Sequence, residues 1–300
     1  MRTPISILGG CARAWPVTPA HFQLEEEFEA LWSGQFRKIG RFIKLALSGA
    51  ALAMKHAGVK QLPPRRTGVF LGTGLGNLAD LIPFVRSLYD GQSIPSPTQF
   101  ANSVGNAGAF YIAQAYALEG PVLAICQDEA SFEAALLNAS TLLHAEEIDF
   151  ALVGGVDVFV PPASEHLARL GLDPTDTRVL LAEGVGFWLL SREGNQGPAQ
   201  LLDVTMKQAE PASMLKTARE PEGPQSLFLG HGLAAHQAQL LSLLGPGASA
   251  AAASPGIFPT QAAFGAGAFV TGNAVPGALY HSLSSTREGL LGSITARKTL

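Results

Sequence analysis

Cysteine and charge are the scarcest features of this 300-residue chain. It carries two cysteines, Cys11 and Cys126, with no CxxC and no Cys/His cluster. That excludes a disulfide framework and a cysteine zinc site, and it points to a reducing, cytoplasmic setting with no cofactor expected. Charged residues make up 15% of the chain and the mean hydropathy is +0.22. Long hydrophobic runs are nevertheless missing. No tract reaches the ~20 uninterrupted apolar residues that a membrane span needs. The apolar excess therefore reads as deep burial plus a large subunit interface. The opening MRTPISILGG lacks the basic segment and long apolar core of a signal peptide.

Acid is missing altogether from Ala30 to Ala79, just after a knot of Glu25, Glu26, Glu27 and Glu29. The same stretch holds Arg37, Lys38, Arg41, Lys44, Lys55, Lys60, Arg65 and Arg66. This is either a solvated helix face or a docking patch for an acidic partner, centred on Arg37, Lys38, Arg41, Lys44, Arg65 and Arg66. Nucleic acid is not the expected partner, since aromatic interleaving and a recognition motif are both missing.

What is present is an alternation of strand and helix patterns, which makes the class α/β. Residues 4–8 read as a short strand ending at Gly9-Gly10. Residues 36–57 form the clearest helix, with Phe36, Ile39, Ile43, Ala46, Ala50, Ala53 and Ala57 along one side and Gly58 closing it. A buried strand at 68–71 leads into GTGLGN. Helices at 77–89 and 103–117 flank a loop at 91–99. Strand 121–126, helix 130–145 and strand 149–153 follow. Beyond Asp157 the pattern loosens: 160–177 reads as irregular, VLLAEGVGFWLLSRE as a hairpin about Glu183-Gly184, 193–200 and 218–225 as loops, 233–244 as a helix, 246–257 as a loop or lid, and 285–300 as weakly specified.

GTGLGN after a strand suggests a dinucleotide turn, but its spacing is G-x-G-x-G and no acid ends a strand ~20 residues on. The other reading is a tight turn that needs glycine. Histidines fall at 21, 56, 144, 166, 231, 236 and 281, and only His231, in FLGHGL, follows a strand in a glycine-rich turn. The most informative stretch is GPVLAICQDEASFEAALLNASTLLHAEEIDFALVGGVD, a strand, a sharp turn, a helix and a strand. Such a turn exposes its first residues to backbone N–H groups, where a cysteine would have a lowered pKa.

The whole stretch resembles the beta-ketoacyl synthase family of the thiolase superfamily. GPVLAI is similar to that family's interface strand, and DFALVGGVD to its Gly-Gly strand. PSPTQFANSVGNAGAFYIAQAY, RKIGRFIKLALSGAALAMKHAG, RTGVFLGTGLG and AEGVGFWLL each resemble a family segment, the last placing Glu183 at a family glutamate. The resemblance covers residues 1–190 and, more loosely, 226–275. It implies a layered αβαβα fold of two pseudo-repeated halves, 1–190 with the nucleophile turn and a shortened 191–300.

Nine residues on from Gly120 and twenty-five back from Gly154, the family's cysteine position falls on Glu129 by both counts. Cys126 would need two compensating gaps. Family histidines align with Phe228 and Ala266, with Gln261 at a lysine, while a shifted reading puts His231 at the first histidine. A carboxylate cannot replace a thiolate, and without imidazoles the decarboxylative step loses its electrostatic support. The resemblance thus implies a non-catalytic chain length factor that pairs with an active ketosynthase through Val122, Leu123, Ala124 and Ile125. Phe100, Phe110, Tyr111 and Phe132 are expected to line an acyl tunnel, and an acyl carrier protein is expected at the basic patch. Similar compact relatives occur in polyketide and aryl polyene systems. The family's chain length factors more often carry glutamine where Glu129 stands, and a buried Glu129 needs a partner or a raised pKa. The alternative is a divergent carrier-protein-dependent enzyme using Cys126 or Glu129 with His231.

Overall fold

The computed structural model describes residues 4–17, 22–36, 38–90, 97–194, 197–215 and 223–299. The first run of elements is β1 (Ile5–Pro16), α1 (Phe22–Trp32), α2 (Arg41–His56), β2 (Thr67–Gly72), α3 (Leu78–Tyr89), α4 (Pro97–Ser103), α5 (Ala107–Ala115), β3 (Val122–Ile125), α6 (Ser131–His144), β4 (Phe150–Asp157), α7 (Ala163–Arg169) and β5 (Ala182–Ser191). The second is β6 (Ala199–Gln208), α8 (Pro211–Met214), β7 (Gln225–Leu229), α9 (Gln237–Leu244), β8 (Ser249–Ala250), α10 (Gln261–Thr271), β9 (Leu279–Ser285) and β10 (Leu290–Lys298).

The ten strands join in the order β3-β2-β4-β5-β1-β6-β10-β9-β7-β8. Each half repeats one topology. In the first, β1 and β4 run antiparallel to β5, while β2 runs parallel to β4 and β3. In the second, β6 and β9 run antiparallel to β10, while β7 runs parallel to β9 and β8. The halves meet where Ile5, Ser6 and Ile7 pair with Leu201, Gln200 and Ala199.

Alternation along the strands separates the layers. Val69, Leu71, Leu152 and Phe187 point to an outer core with Phe42, Leu45 and Ala46 of α2 and Ile112 of α5. Phe70, Val153 and Trp188 point the other way, into a central core with Phe132 and Leu136 of α6, Ala262 and Ala266 of α10, and Tyr280 and Ile294 of the second half. Leu227, Leu283 and Leu291 meet Leu240 and Leu244 of α9 on the far side. The result is the αβαβα layering.

Three elements differ from the sequence pattern. β1 runs through Gly9 and Gly10 instead of ending there. A Cβ at Gly9 would lie 2.6 Å from the Ala53 carbonyl, and one at Gly10 would lie 3.1 Å from Val270. The two glycines let α2 and α10 close on opposite faces of one strand. The expected hairpin about Glu183-Gly184 is one strand, β5, because α10 and Phe258 lie flat against Gly184 and Gly186. The tail expected to be weakly specified holds β10, paired on both sides by β6 and β9. Smaller differences are α7 within 160–177, α4 starting at Pro97, and a short β8 within 246–257. His21, Arg37 and part of the 218–225 loop lie outside the described residues.

Candidate active site

The turn after β3 is held by local hydrogen bonds. Ser131 Oγ accepts from the Gln127 N–H at 2.8 Å and donates to the Asp128 carbonyl at 2.6 Å. Asp128 takes φ +47°, an uncommon left-handed conformation that carries the chain sharply into α6. Glu129, the next residue, is projected toward the second half of the molecule and is 7% exposed. There the turn after β7, Gly230-His231-Gly232, receives it. The Gly232 N–H donates to Oε1 and Oε2 at 3.2 and 3.3 Å, and His231 Nδ1 is in contact with Oε1. A Cβ at Gly230 would lie 2.3 Å from Oε2, so a larger residue there would push the carboxylate aside.

An open cavity of about 310 Å³ lies over this contact. Glu129, His231 and Gly232 form one wall, and Leu75, Leu170, Leu172 and Pro259 give it an apolar side. Arg169 and Arg287 bring positive charge to it, and Ser285 and Thr286 bring hydroxyls. Arg169 is 23% exposed and bonds Glu165 at 2.7 Å, whereas Arg287 is 57% exposed and stands 3.8 Å from Asp128.

Two further carboxyls back the site. Asp157, at the end of β4, accepts from the Thr73 hydroxyl, the Gly74 and Leu75 N–H groups, and both the N–H and hydroxyl of Thr260, all within 3.2 Å. Burial nevertheless raises its pKa to about 6. The backbone amides of GTGLGN are therefore used on an internal carboxylate. This decides the two readings of that motif in favour of the structural turn. Glu133, one helical turn after Glu129, is fully buried among Ser282 and Ser284 of β9. Ser284 Oγ donates to Oε1 at 2.6 Å, while Oε2 has no partner. Burial raises its pKa to about 7. Neither carboxyl stood out in the sequence. Asp157 was a strand terminus, and Glu133 was one acid within an apolar helix. Arg287 lies between β9 and β10, in a tail with no sequence signal.

The other expected residues are distributed as follows. Cys126 is exposed, donates to the Gly74 carbonyl at 3.2 Å and does not line the cavity. Burial of its sulfur, with Asp157 and Asp128 nearby, raises the thiol pKa, the wrong direction for a nucleophile. Phe228 is not the β7 residue that meets Glu129. Its ring packs in the central core against Gly265, and His231, three residues on, takes the place at the turn. The partner of Glu129 is thus an imidazole of the same chain. Ala266 is buried, its carbonyl accepting from Trp188 Nε1 at 3.0 Å, and Gln261 bonds Ser254 and the Gly256 carbonyl. His166 and His281 are buried, with pKa values lowered by burial to about 4.

Of the expected tunnel residues, none lines this cavity. Phe132 is sealed in the core, Tyr111 bonds Asn102 at 3.3 Å, and Phe100 and Phe110 are 57% and 54% exposed. The basic stretch is not a row of free cations either. Arg41 pairs with buried Glu183, Lys44 with Glu25, Arg65 with Glu119 at 2.9 Å, and Arg66 with Asp149 at 2.8 Å. Lys38 is exposed. β3 is the edge strand of the sheet, with Leu123 40% exposed between the partly buried Val122, Ala124 and Ile125. Among the described residues no group of three or more His, Cys, Asp or Glu could hold a metal ion, and no helix is long and apolar enough to cross a membrane.

Residues 11–194 match the family model described as beta-ketoacyl synthase, N-terminal domain. A sequence search of curated proteins found no match. Among solved structures, the fold is similar to the ishigamide ketosynthase/chain length factor, with TM-score 0.77 and 18% identity over 99% of this chain and 100% of that one. It is also similar to a type II PKS acyl-carrier protein–ketosynthase complex, with TM-score 0.72 and 12% identity over 99% of each chain. A beta-ketoacyl synthase from Burkholderia phymatum STM815 gives TM-score 0.72 and 14% identity over the full length of both. At these identities the likeness is one of fold, the thiolase-like fold of ketosynthases.

Proposed function

Because the chain belongs to the beta-ketoacyl synthase family, we propose that it is a chain length factor-like partner of an active beta-ketoacyl–acyl carrier protein synthase, working in the cytoplasm. In this reading it does not make the carbon–carbon bond. It shapes the acyl cavity of a type II polyketide, aryl polyene or fatty-acid-like system. The observation that carries the proposal is the carboxylate of Glu129 at the tip of the turn after β3, with the thiol of Cys126 outside the cavity and protonated at neutral pH.

The edge strand supports the partner half of the reading. Among the described residues β3 pairs only with β2, α5 packs beside it and exposes Phe110, and α4 and α3, packed in turn on α5 and α4, expose Phe100, Leu88 and Tyr89, with Val104 exposed between α4 and α5. An uncovered edge with an apolar border is stable in solution when a second sheet continues it. Phe100 and Phe110 then belong to the subunit interface. An acyl carrier protein is the second proposed partner, drawn to the exposed Lys38 and Arg65 and to Arg287 at the cavity. Co-expression with a ketosynthase encoded alongside is expected to give a 1:1 complex that Leu123→Arg abolishes. A monomer that stays soluble alone and ignores every candidate ketosynthase would end this reading.

The contact between Glu129 and His231 favours a second reading, a carrier-protein-dependent condensing or decarboxylating enzyme. Mass spectrometry after incubation with malonyl- or acyl-carrier protein tests it. An acyl adduct on Glu129 or Cys126, or loss of malonyl carbon dioxide that needs His231, would favour it over the first.

A further inference from the structure

We infer that the cavity over the β7 turn is a hydrolytic site, in which His231 activates water against an activated acyl group and Glu129 positions the imidazole. The arrangement is a buried carboxylate against Nδ1 of an imidazole on a cavity wall. Glu129 is locked from two sides. The Gly232 N–H reaches both its oxygens, and Gly230 lets the backbone close over it. Nδ1 is buried against Oε1 of Glu129 and makes no hydrogen bond, which leaves Nε2 as the ring nitrogen available to a ligand. Nε2 has no hydrogen-bond partner among the described residues, and the side chain is 18% exposed. A ring nitrogen so placed on a residue of the cavity wall can act as a general base.

The cavity holds no activated thiol, so the incoming nucleophile is water. Its oxygen attacks the acyl carbonyl carbon while Nε2 takes one proton. The tetrahedral intermediate then expels the thiol or alcohol, which recovers that proton from the imidazolium. The products are a carboxylic acid and a free thiol or alcohol. Leu75, Leu170, Leu172 and Pro259 offer the acyl group an apolar wall, and the 57% exposed Arg287 offers an anionic leaving arm a cation. The hydrolytic pair stands apart from the partner reading, and only the choice of a thioester over an ester rests on it.

The test uses the full chain with three probes, p-nitrophenyl hexanoate, hexanoyl-coenzyme A and the uncharged N-acetylcysteamine hexanoyl thioester. His231→Asn is expected to lower kcat on the ester about 100-fold or more with KM unchanged. Glu129→Gln is expected to lower kcat about tenfold at constant KM, with partial rescue by Glu129→Asp. Arg287→Ala, at an exposed side chain, is expected to raise KM for the coenzyme A thioester several-fold more than for the N-acetylcysteamine thioester. Ester hydrolysis without thioester hydrolysis removes the thioester assignment alone. No ester hydrolysis by the folded chain, a kcat unaffected by His231→Asn, or an acyl group covalently held on Ser285 would overturn the proposal. None of these results bears on whether a ketosynthase binds through β3.

Discussion

The loops after β2 and β7 occupy equivalent places in the two halves, and each clasps a carboxylate with glycine-flanked backbone N–H groups. After β2, Gly74 and Leu75 hold Asp157, helped by three hydroxyl and amide donors from Thr73 and Thr260. After β7, Gly232 holds Glu129, helped by His231. In the first clasp the carboxylate of Asp157 is 1% exposed behind Gly74 and Leu75, which themselves line the cavity, and it ties strand β4 to the start of α10 across the central layer. The second opens on a cavity. The same backbone device serves cohesion in one half and presents a carboxylate–imidazole pair in the other. The side chains beside the two carboxylates differ, an imidazole at the open site and two hydroxyls at the closed one.

The largest break in this comparison is expected from Asp157→Asn. An amide offers one acceptor oxygen and turns an N–H₂ toward donors, so several buried donors lose their partner. A loss of about 3 kcal/mol in urea unfolding is expected, with a matching fall in Tm. The next effect has the opposite sign. Glu133 is a carboxyl whose folded pKa, about 7, lies above its unfolded value. The folded state binds the extra proton, so the cost of ionising it is absent below about pH 4 and complete above about pH 7. Glu133→Gln is therefore expected to stabilise the protein by about 2 kcal/mol at pH 8, a gain that disappears at pH 4.5. Asp157 adds a slope of the same sign between about pH 4 and 6. His166 and His281, whose folded pKa values lie below the unfolded one, add a slope of the opposite sign between about pH 4 and 6.5 in the wild type, so the assignment is read from the difference between wild type and Glu133→Gln: a gain that does not grow from pH 4.5 to 8 would contradict it.

Smaller changes sharpen the open clasp. Glu129→Gln keeps the shape and one acceptor oxygen for the Gly232 N–H, so stability is expected to change by no more than about 1 kcal/mol. A loss as large as that of Asp157→Asn would make the two clasps equivalent and remove the contrast. Cys126→Ser is expected to stay within about 0.5 kcal/mol, and iodoacetamide is expected to modify Cys126 slowly at pH 7 despite its exposure, because its pKa is raised.

Much of the first half was legible in the sequence because its signals are local. The period of α2, the strand–turn–helix from Gly120 and the spacing between Gly120 and Gly154 all fall within short windows. The same windows put Glu129 in the turn after β3. The sequence misled where a residue's role depended on a distant surface. Gly9-Gly10 looked like a stop and is a flat place for two helices. Gly184 looked like a hairpin corner and lies under Phe258. Arg41 looked like a free cation and reaches Glu183, 142 residues away. Phe228 looked aligned with a family histidine because the count in the second half runs through a shortened segment.

By itself, then, the sequence determined the class of fold, the order of elements in the first half and the carboxylate at the turn after β3. All of these rest on neighbours along the chain and on the alternation of apolar side chains. Only the tertiary structure decided that His231 is the partner of Glu129, that Asp157 occupies the glycine turn, and that Arg287 reaches the cavity. These pairs are more than 80 residues apart or lie in different halves. What brings them together is the burial of α6 and α10 between the two halves of one ten-stranded sheet, which no local pattern encodes.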